Sequence, residues 1–255
     1  MITLPPNSPI DIESYAGWKA FAQEKNLDVV FDAGLTHKFS ELVYASKFLI
    51  TTSITEGFGL SFLEPWTAQK ILWGRKLPEI CRDFEAKGIQ LDHLYSRLYV
   101  PVTWLDTAKL LAAWQVSVRE AGAMFNFNIE ERSIADAFEK TIADETIDFG
   151  LLNEAFQKQI ISRVLSDPYN RTVLIDLNPF LMTPGKVSNP KDLIQNNLLA
   201  ISNNYNQAIY TQALRSIYKK VLTVNVSHCI DKNILFSKFL NLENFSLLKW
   251  SPYVE

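Results

Sequence analysis

The chain has 255 residues, 47% of them hydrophobic, and a net charge of −3. That is enough apolar material for one large or two small folded domains, and it excludes wholesale disorder. The charge balance gives no electrostatic basis for nucleic-acid binding, so no nucleic-acid partner is expected.

Taken in chain order, short apolar runs alternate with amphipathic stretches over residues 1–105. Strands are expected at 1–4, 28–31, 48–51, 71–74 and 98–101. Helices are expected at 12–24, 39–45, 60–70 and 78–87. Strands alternating with helices argue for an α/β domain with a parallel sheet covered on both faces. From residue 106 the character changes. A helix is expected at 106–121, with Asp106 able to cap its start. Residues 126–146 are charged and read as exposed, and 151–165 as an amphipathic helix. Residues 179–190, with Pro184-Gly185, read as a loop. Residues 191–222 carry Ile194, Leu198, Ile201, Tyr205, Ile209, Leu214 and Tyr218 at mostly helical spacing. The expected organisation is an α/β part over 1–105 and a mainly helical region over 106–255. No internal repeat or low-complexity tract occurs.

No run of about 18 apolar residues exists, so no membrane span is expected. The two cysteines, Cys81 and Cys229, form no disulfide framework and fit a reducing compartment. Met1-Ile2-Thr3-Leu4-Pro5-Pro6 lacks the basic and apolar stretches of a secretory signal, so a cytoplasmic location is expected. In that setting the sequons at Asn170, Asn225 and Asn244 are chance matches.

The segment that carries chemistry is Glu56-Gly57-Phe58-Gly59-Leu60-Ser61-Phe62-Leu63-Glu64. An apolar run, Phe48-Leu49-Ile50, precedes it. Gly57 and Gly59 allow a sharp turn and close approach of a ligand to the backbone. A helix starting near Leu60 would aim free N–H groups and its positive end at that turn, which suits a phosphate. A carboxylate beside it can accept hydrogen bonds from sugar hydroxyls. Taken on spacing alone, the glutamate pair is as expected from chance among 28 acidic residues and the turn is more simply a connection.

The stretch from Phe48 to Trp104 resembles the retaining GT-B glycosyltransferases of glycosyltransferase family 4. The shared pattern is a Glu, seven residues and a second Glu, with Gly-Phe-Gly-Leu after the first. Leu77-Pro78-Glu79-Ile80 is similar to the segment after the next strand in many members. The resemblance implies a Rossmann-like parallel sheet that forms part of a GT-B donor domain. It implies a nucleotide-sugar donor, retention of anomeric configuration, and neither cofactor nor metal. Glu56 would act at the donor sugar and Glu64 would contact the ribose. The backbone of Gly57, Phe58, Gly59 and Leu60 would approach the sugar or phosphate. Apart from the resemblance, Arg75 follows a strand and could reach the donor as its cation, the more usual reading of such an arginine being a surface residue. Leaving pyrophosphate would be stabilised by positive groups and helix dipoles.

The chain departs from the family pattern in two ways. It has no Arg and Lys pair ahead of the motif to clamp the donor phosphates. It also resembles only the second of the family's two domains, and 1–4 aligns with that domain's second strand. A missing central strand would leave backbone groups unpaired within the sheet. A second polypeptide supplying the acceptor domain is therefore one expectation, and a rearranged sheet another. The rival reading is a non-catalytic split or degenerate fragment that binds a partner or nucleotide sugar. A third is an unrelated α/β domain.

His37, His93 and His228 have no metal-ligand spacing and read as structural. Asp83 and Glu85 read as a solvated helix face. Tyr205, Tyr210 and Tyr218 read as packing residues. Trp66 and Trp73 read as core, with a pocket lining the alternative.

Overall fold

The computed structural model describes residues 1–142, 144–224 and 230–250. Cys229, His228 and the sequon at Asn225 lie outside the described residues. The fold is mixed α/β and mostly helical, with two small two-stranded sheets among the described residues. The chain divides into two compact units, each discontinuous in sequence. One comprises Met1–Lys47, Arg97–Met182 and Leu242–Glu255, and the other Phe48–Ser96 and Thr183–Asn241. This division differs from the expected 1–105 and 106–255.

The first unit is built on helix packing. The helix Thr107–Met124 starts where Asp106 accepts a hydrogen bond from the Lys109 N–H at 3.1 Å. It buries Leu110, Trp114 and Val118. Trp114 meets Phe138 at 5.6 Å and Phe245 at 5.5 Å between ring centres. Phe138 lies on the helix Glu131–Ile142, which also buries Ile134 and Ala137. The charged stretch 126–146 is thus amphipathic and half in the core, because its apolar residues recur at helical spacing.

Residues 1–4 and 28–31 form no strands. Their backbones meet through single bonds, such as Ile2 N–H to Val30 O at 2.8 Å. The strand expected at 98–101 does form, but pairs antiparallel with Thr146–Asp148, outside any parallel sheet. Asn178, fully buried, extends this pairing. Its side chain accepts from Tyr99 N–H and donates to Tyr99 O, each at 2.7 Å.

The second unit holds the parallel pair. Strand β1 (Phe48–Thr51) lies beside β2 (Ile71–Gly74), with Thr51 opposite Gly74. Arg75 then bridges to Tyr95 on the far side of β2. No strand pairs with the outer edge of β1 among the described residues. The Rossmann-like expectation is thus met only as far as a small parallel sheet. Gly74, at φ 132, allows a close approach, since a Cβ there would stand 1.9 Å from the Thr51 carbonyl oxygen. Below the pair, Phe62, Trp66, Leu72, Cys81, Leu91 and Ile201 form a closed core. Ile201 comes from the helix Pro190–Asn204. That helix is tied down by Asn197, which accepts from Gln90 N–H at 2.7 Å and donates to Gln90 O at 3.0 Å. Burial pushes the Cys81 thiol up, so it is a packing residue and not a reactive thiolate.

Candidate functional site

Because β1 and β2 are parallel, both release their chains at the same edge. That carboxyl edge is where parallel sheets hold ligands. The loop after β1 carries Glu56, and Arg75 directly follows β2. The Arg75 N–H donates to Thr51 O at 2.8 Å, which fixes its backbone beside the end of β1. Its side chain is buried, unusual for arginine.

Glu56 is half-buried and held from two sides. Ser53 Oγ donates to its Oε1 at 3.0 Å and Ser61 Oγ at 2.9 Å. Sequence reasoning missed both serines. Their only signal was a hydroxyl three residues before the glutamate and another five after it.

The turn depends on Gly59 more than on Gly57. Gly59 has φ 70, where side chains are strained, and it is buried. A Cβ there would stand 2.3 Å from Ile80 Cγ2 and 3.0 Å from Phe84 Cε2. Both belong to the helix Pro78–Glu85, which closes over the turn. At Gly57 nothing lies within 4 Å of an added Cβ. Phe58, 89% exposed, and Leu60, 55% exposed, project from the turn into solvent.

The helix expected at 60–70 is not continuous. A 3-10 turn, Leu60–Phe62, leads into one helical turn, Glu64–Thr67. Gln69, at φ 55, ends the segment just before β2. Fully buried Phe62 and Trp66 anchor it, with Trp66 Nε1 donating to Phe62 O at 2.8 Å. So short an element carries little macrodipole, and the helix-end cradle for phosphate is absent here. Glu64 stands exposed at the first position of that turn.

The neighbouring residues are structural. Trp66 is core, and Trp73 meets Phe48 and Tyr95 edge-on or tilted, at 6.2 and 5.6 Å. His93 shares a hydrogen bond of 2.8 Å with Leu72 O and lies edge-on to Trp66. Burial pulls its imidazole below the usual histidine range. Asp83 is exposed as expected, whereas Glu85 is half-buried and accepts from Lys76 Nζ at 2.5 Å. Tyr205, Tyr210 and Tyr218 are all exposed, and of them Tyr205 also meets Phe84 edge-on. Among the described residues no group of His, Cys, Asp and Glu could hold a metal ion.

A cavity of about 270 Å³ in the first unit is lined by Arg97, Lys140, Thr141, Asp148, Leu151 and Glu243. None of the expected site residues lines it. Lys140 already donates to Glu243 and Arg97 to Asn244, each at 3.2 Å.

Compared with known proteins, the chain matches no family model, no curated protein and no solved structure.

Proposed function

We propose that this chain is the donor-binding portion of a retaining, hexosyltransferase-like glycosyltransferase that takes a nucleotide sugar in the cytoplasm. A second polypeptide would supply the acceptor domain. The observation that carries the reading is the Glu56-to-Glu64 segment at the carboxyl edge of a parallel strand pair, turned at a glycine whose φ is 70. In this reading Glu56 faces the donor sugar, with its carboxylate oriented by Ser53 and Ser61. Glu64 accepts from the ribose hydroxyls. The open backbone at Gly57 admits the sugar or phosphate closely, and Arg75 contributes positive charge at the same edge. No cofactor is needed.

The second reading, a non-catalytic binding or interaction protein, draws on a different observation. The element after the turn is a single helical turn, which gives little help with a leaving pyrophosphate. Calorimetric titration of the wild type and Glu64→Ala with a panel of nucleotide sugars tests the donor site, and release of the nucleotide from a bound donor separates an enzyme from a protein that only binds it. Binding of one donor that is lost in Glu64→Ala supports a donor site. Failure to bind any donor favours the non-catalytic protein.

A further inference from the structure

The helix Gln207–Thr223 has 17 residues and buries none of them. Asn206 caps its start, accepting from Ile209 N–H at 3.0 Å. Ile209, Tyr210, Ile217, Tyr218, Val221 and Leu222 are all exposed on it. Helices in folded proteins owe most of their stability to burying an apolar face rather than to propensity. Here the apolar face is largely uncovered, with only Leu214 on it half-buried.

The residues are sorted by side. At about 100° per residue, Tyr210, Ile217 and Val221 fall together at the centre of the apolar face. Ile209 and Leu222 mark its two edges. Arg215 falls beside Leu222, and Lys220 beside Ile209. Lys219 falls opposite the centre. The helix holds no aspartate or glutamate. Cations at both edges of an apolar face can lay their stems along it while their heads reach outward.

This pattern selects among occupants. A second copy of the helix would bring the same two flanking cations and no carboxylate of its own to meet them. The segment is also shorter than the three or four heptads of a sustained coiled coil. An anionic bilayer offers an acyl boundary for the apolar face and negative headgroups for its flanking cations. Among the described residues no helix is long and apolar enough to cross a membrane, so the contact is with the surface. We propose that the helix Gln207–Thr223 docks this protein on anionic lipid surfaces, lying in the interface with Ile217 and Val221 inward.

The test is co-sedimentation of the full chain with vesicles of phosphatidylcholine alone, and with vesicles in which roughly one lipid in three is phosphatidylglycerol. The wild type should bind the mixed vesicles and leave the neutral ones largely bare. The double variant Arg215→Gln/Lys220→Gln should bind about 30-fold more weakly, from about 1 kcal/mol per cation at the surface. Lys219→Gln, on the far side, should lose a few-fold at most, and Ile217→Glu should abolish binding. Unchanged circular dichroism shows that the variants fold. A wild type that stays in solution, or binds both vesicles equally, overturns the proposal. So does a Lys219 variant as impaired as the edge double variant. A dimer dissolved by Ile217→Glu, without vesicle binding, would assign the face to a second copy. Retention on soluble polyglutamate as tight as on vesicles would assign it to an acidic protein; either result overturns the membrane.

Discussion

Ser61 Oγ donates to Glu56 Oε1 at 2.9 Å, so the two ends of the glycine turn are joined through the carboxylate. With Ser53 on the same oxygen, the bond fixes where Glu56 points. Hydrogen bonds to charged groups contribute about 1.5–3 kcal/mol when shielded, and less when half-exposed. Ser61→Ala should therefore cost about 1 kcal/mol in chemical denaturation. A double-mutant cycle with Glu56→Gln should show coupling. If Glu56 acts at the donor, Ser61→Ala should also lower turnover more than it lowers donor affinity. Additive single effects would show that the serine does not position the carboxylate.

The two glycines of the turn separate fold from ligand. Gly59→Ala forces a strained φ and a collision with Ile80, and should cost about 2 kcal/mol or more. Gly57→Ala meets nothing within 4 Å and should change stability by less than about 0.5 kcal/mol. If a donor approaches the backbone at Gly57, its added methyl should still weaken nucleotide-sugar binding. Thermal melts and titrations on both variants read this directly. Unaltered donor affinity in Gly57→Ala would move the ligand away from the turn.

Legibility in the sequence followed locality. β1, β2 and the helix Phe39–Ala45 have the expected bounds, because each is a short apolar or capped segment that declares itself in its own residues. The motif's turn was readable for the same reason, since Gly59 sits where a positive φ is needed. The helix expected at 60–70 failed because Pro65 lies inside it: proline has no N–H to donate and clashes with the preceding turn, so a helix can start there but not run through. The discontinuous units were invisible because the contacts that define them are distant in sequence. Asn197 holds Gln90 and Asn178 holds Tyr99. Nothing in an asparagine's neighbours along the chain announces a partner 79 or 107 positions away. The serines on Glu56 were near enough to find, but two hydroxyls in a polar loop carry no distinctive spacing.

Acid should weaken the second unit through His93. Its imidazole is half-buried against Trp66 and Leu72 O, and burial lowers its folded pKa below the unfolded value near 6.5. The native state thus favours the neutral ring. The stabilisation is complete above the unfolded pKa. It is lost as pH falls from about 6.5 through the folded value, because the unfolded chain binds the proton first. Urea midpoints should therefore drop between pH 7 and pH 5 in the wild type. His93→Gln, which can still donate to Leu72 O but does not titrate, should lose less over the same interval. Equal losses in both proteins would place the acid sensitivity elsewhere.

Asn197 gives the sharpest stability test of the second unit. Its amide is wholly buried and serves both backbone groups of Gln90, doing for one residue what a neighbouring strand does for many. Removing it leaves an N–H and a carbonyl without that partner, in a place where the removed side chain admitted no solvent. Asn197→Ala should cost about 2–3 kcal/mol. Asn197→Asp keeps the acceptor for Gln90 N–H but turns a second oxygen toward Gln90 O, so it should be no milder. Asn204, on the same helix, donates to Lys87 O at 3.1 Å from a more exposed position. Its alanine variant should cost less, about 1 kcal/mol or under. Hydrogen exchange at the Gln90 amide gives the local readout: it should quicken in Asn197→Ala and stay protected in Asn204→Ala. Equal protection in the two variants would mean that Gln90 is held by the packing of the helix and not by the amide.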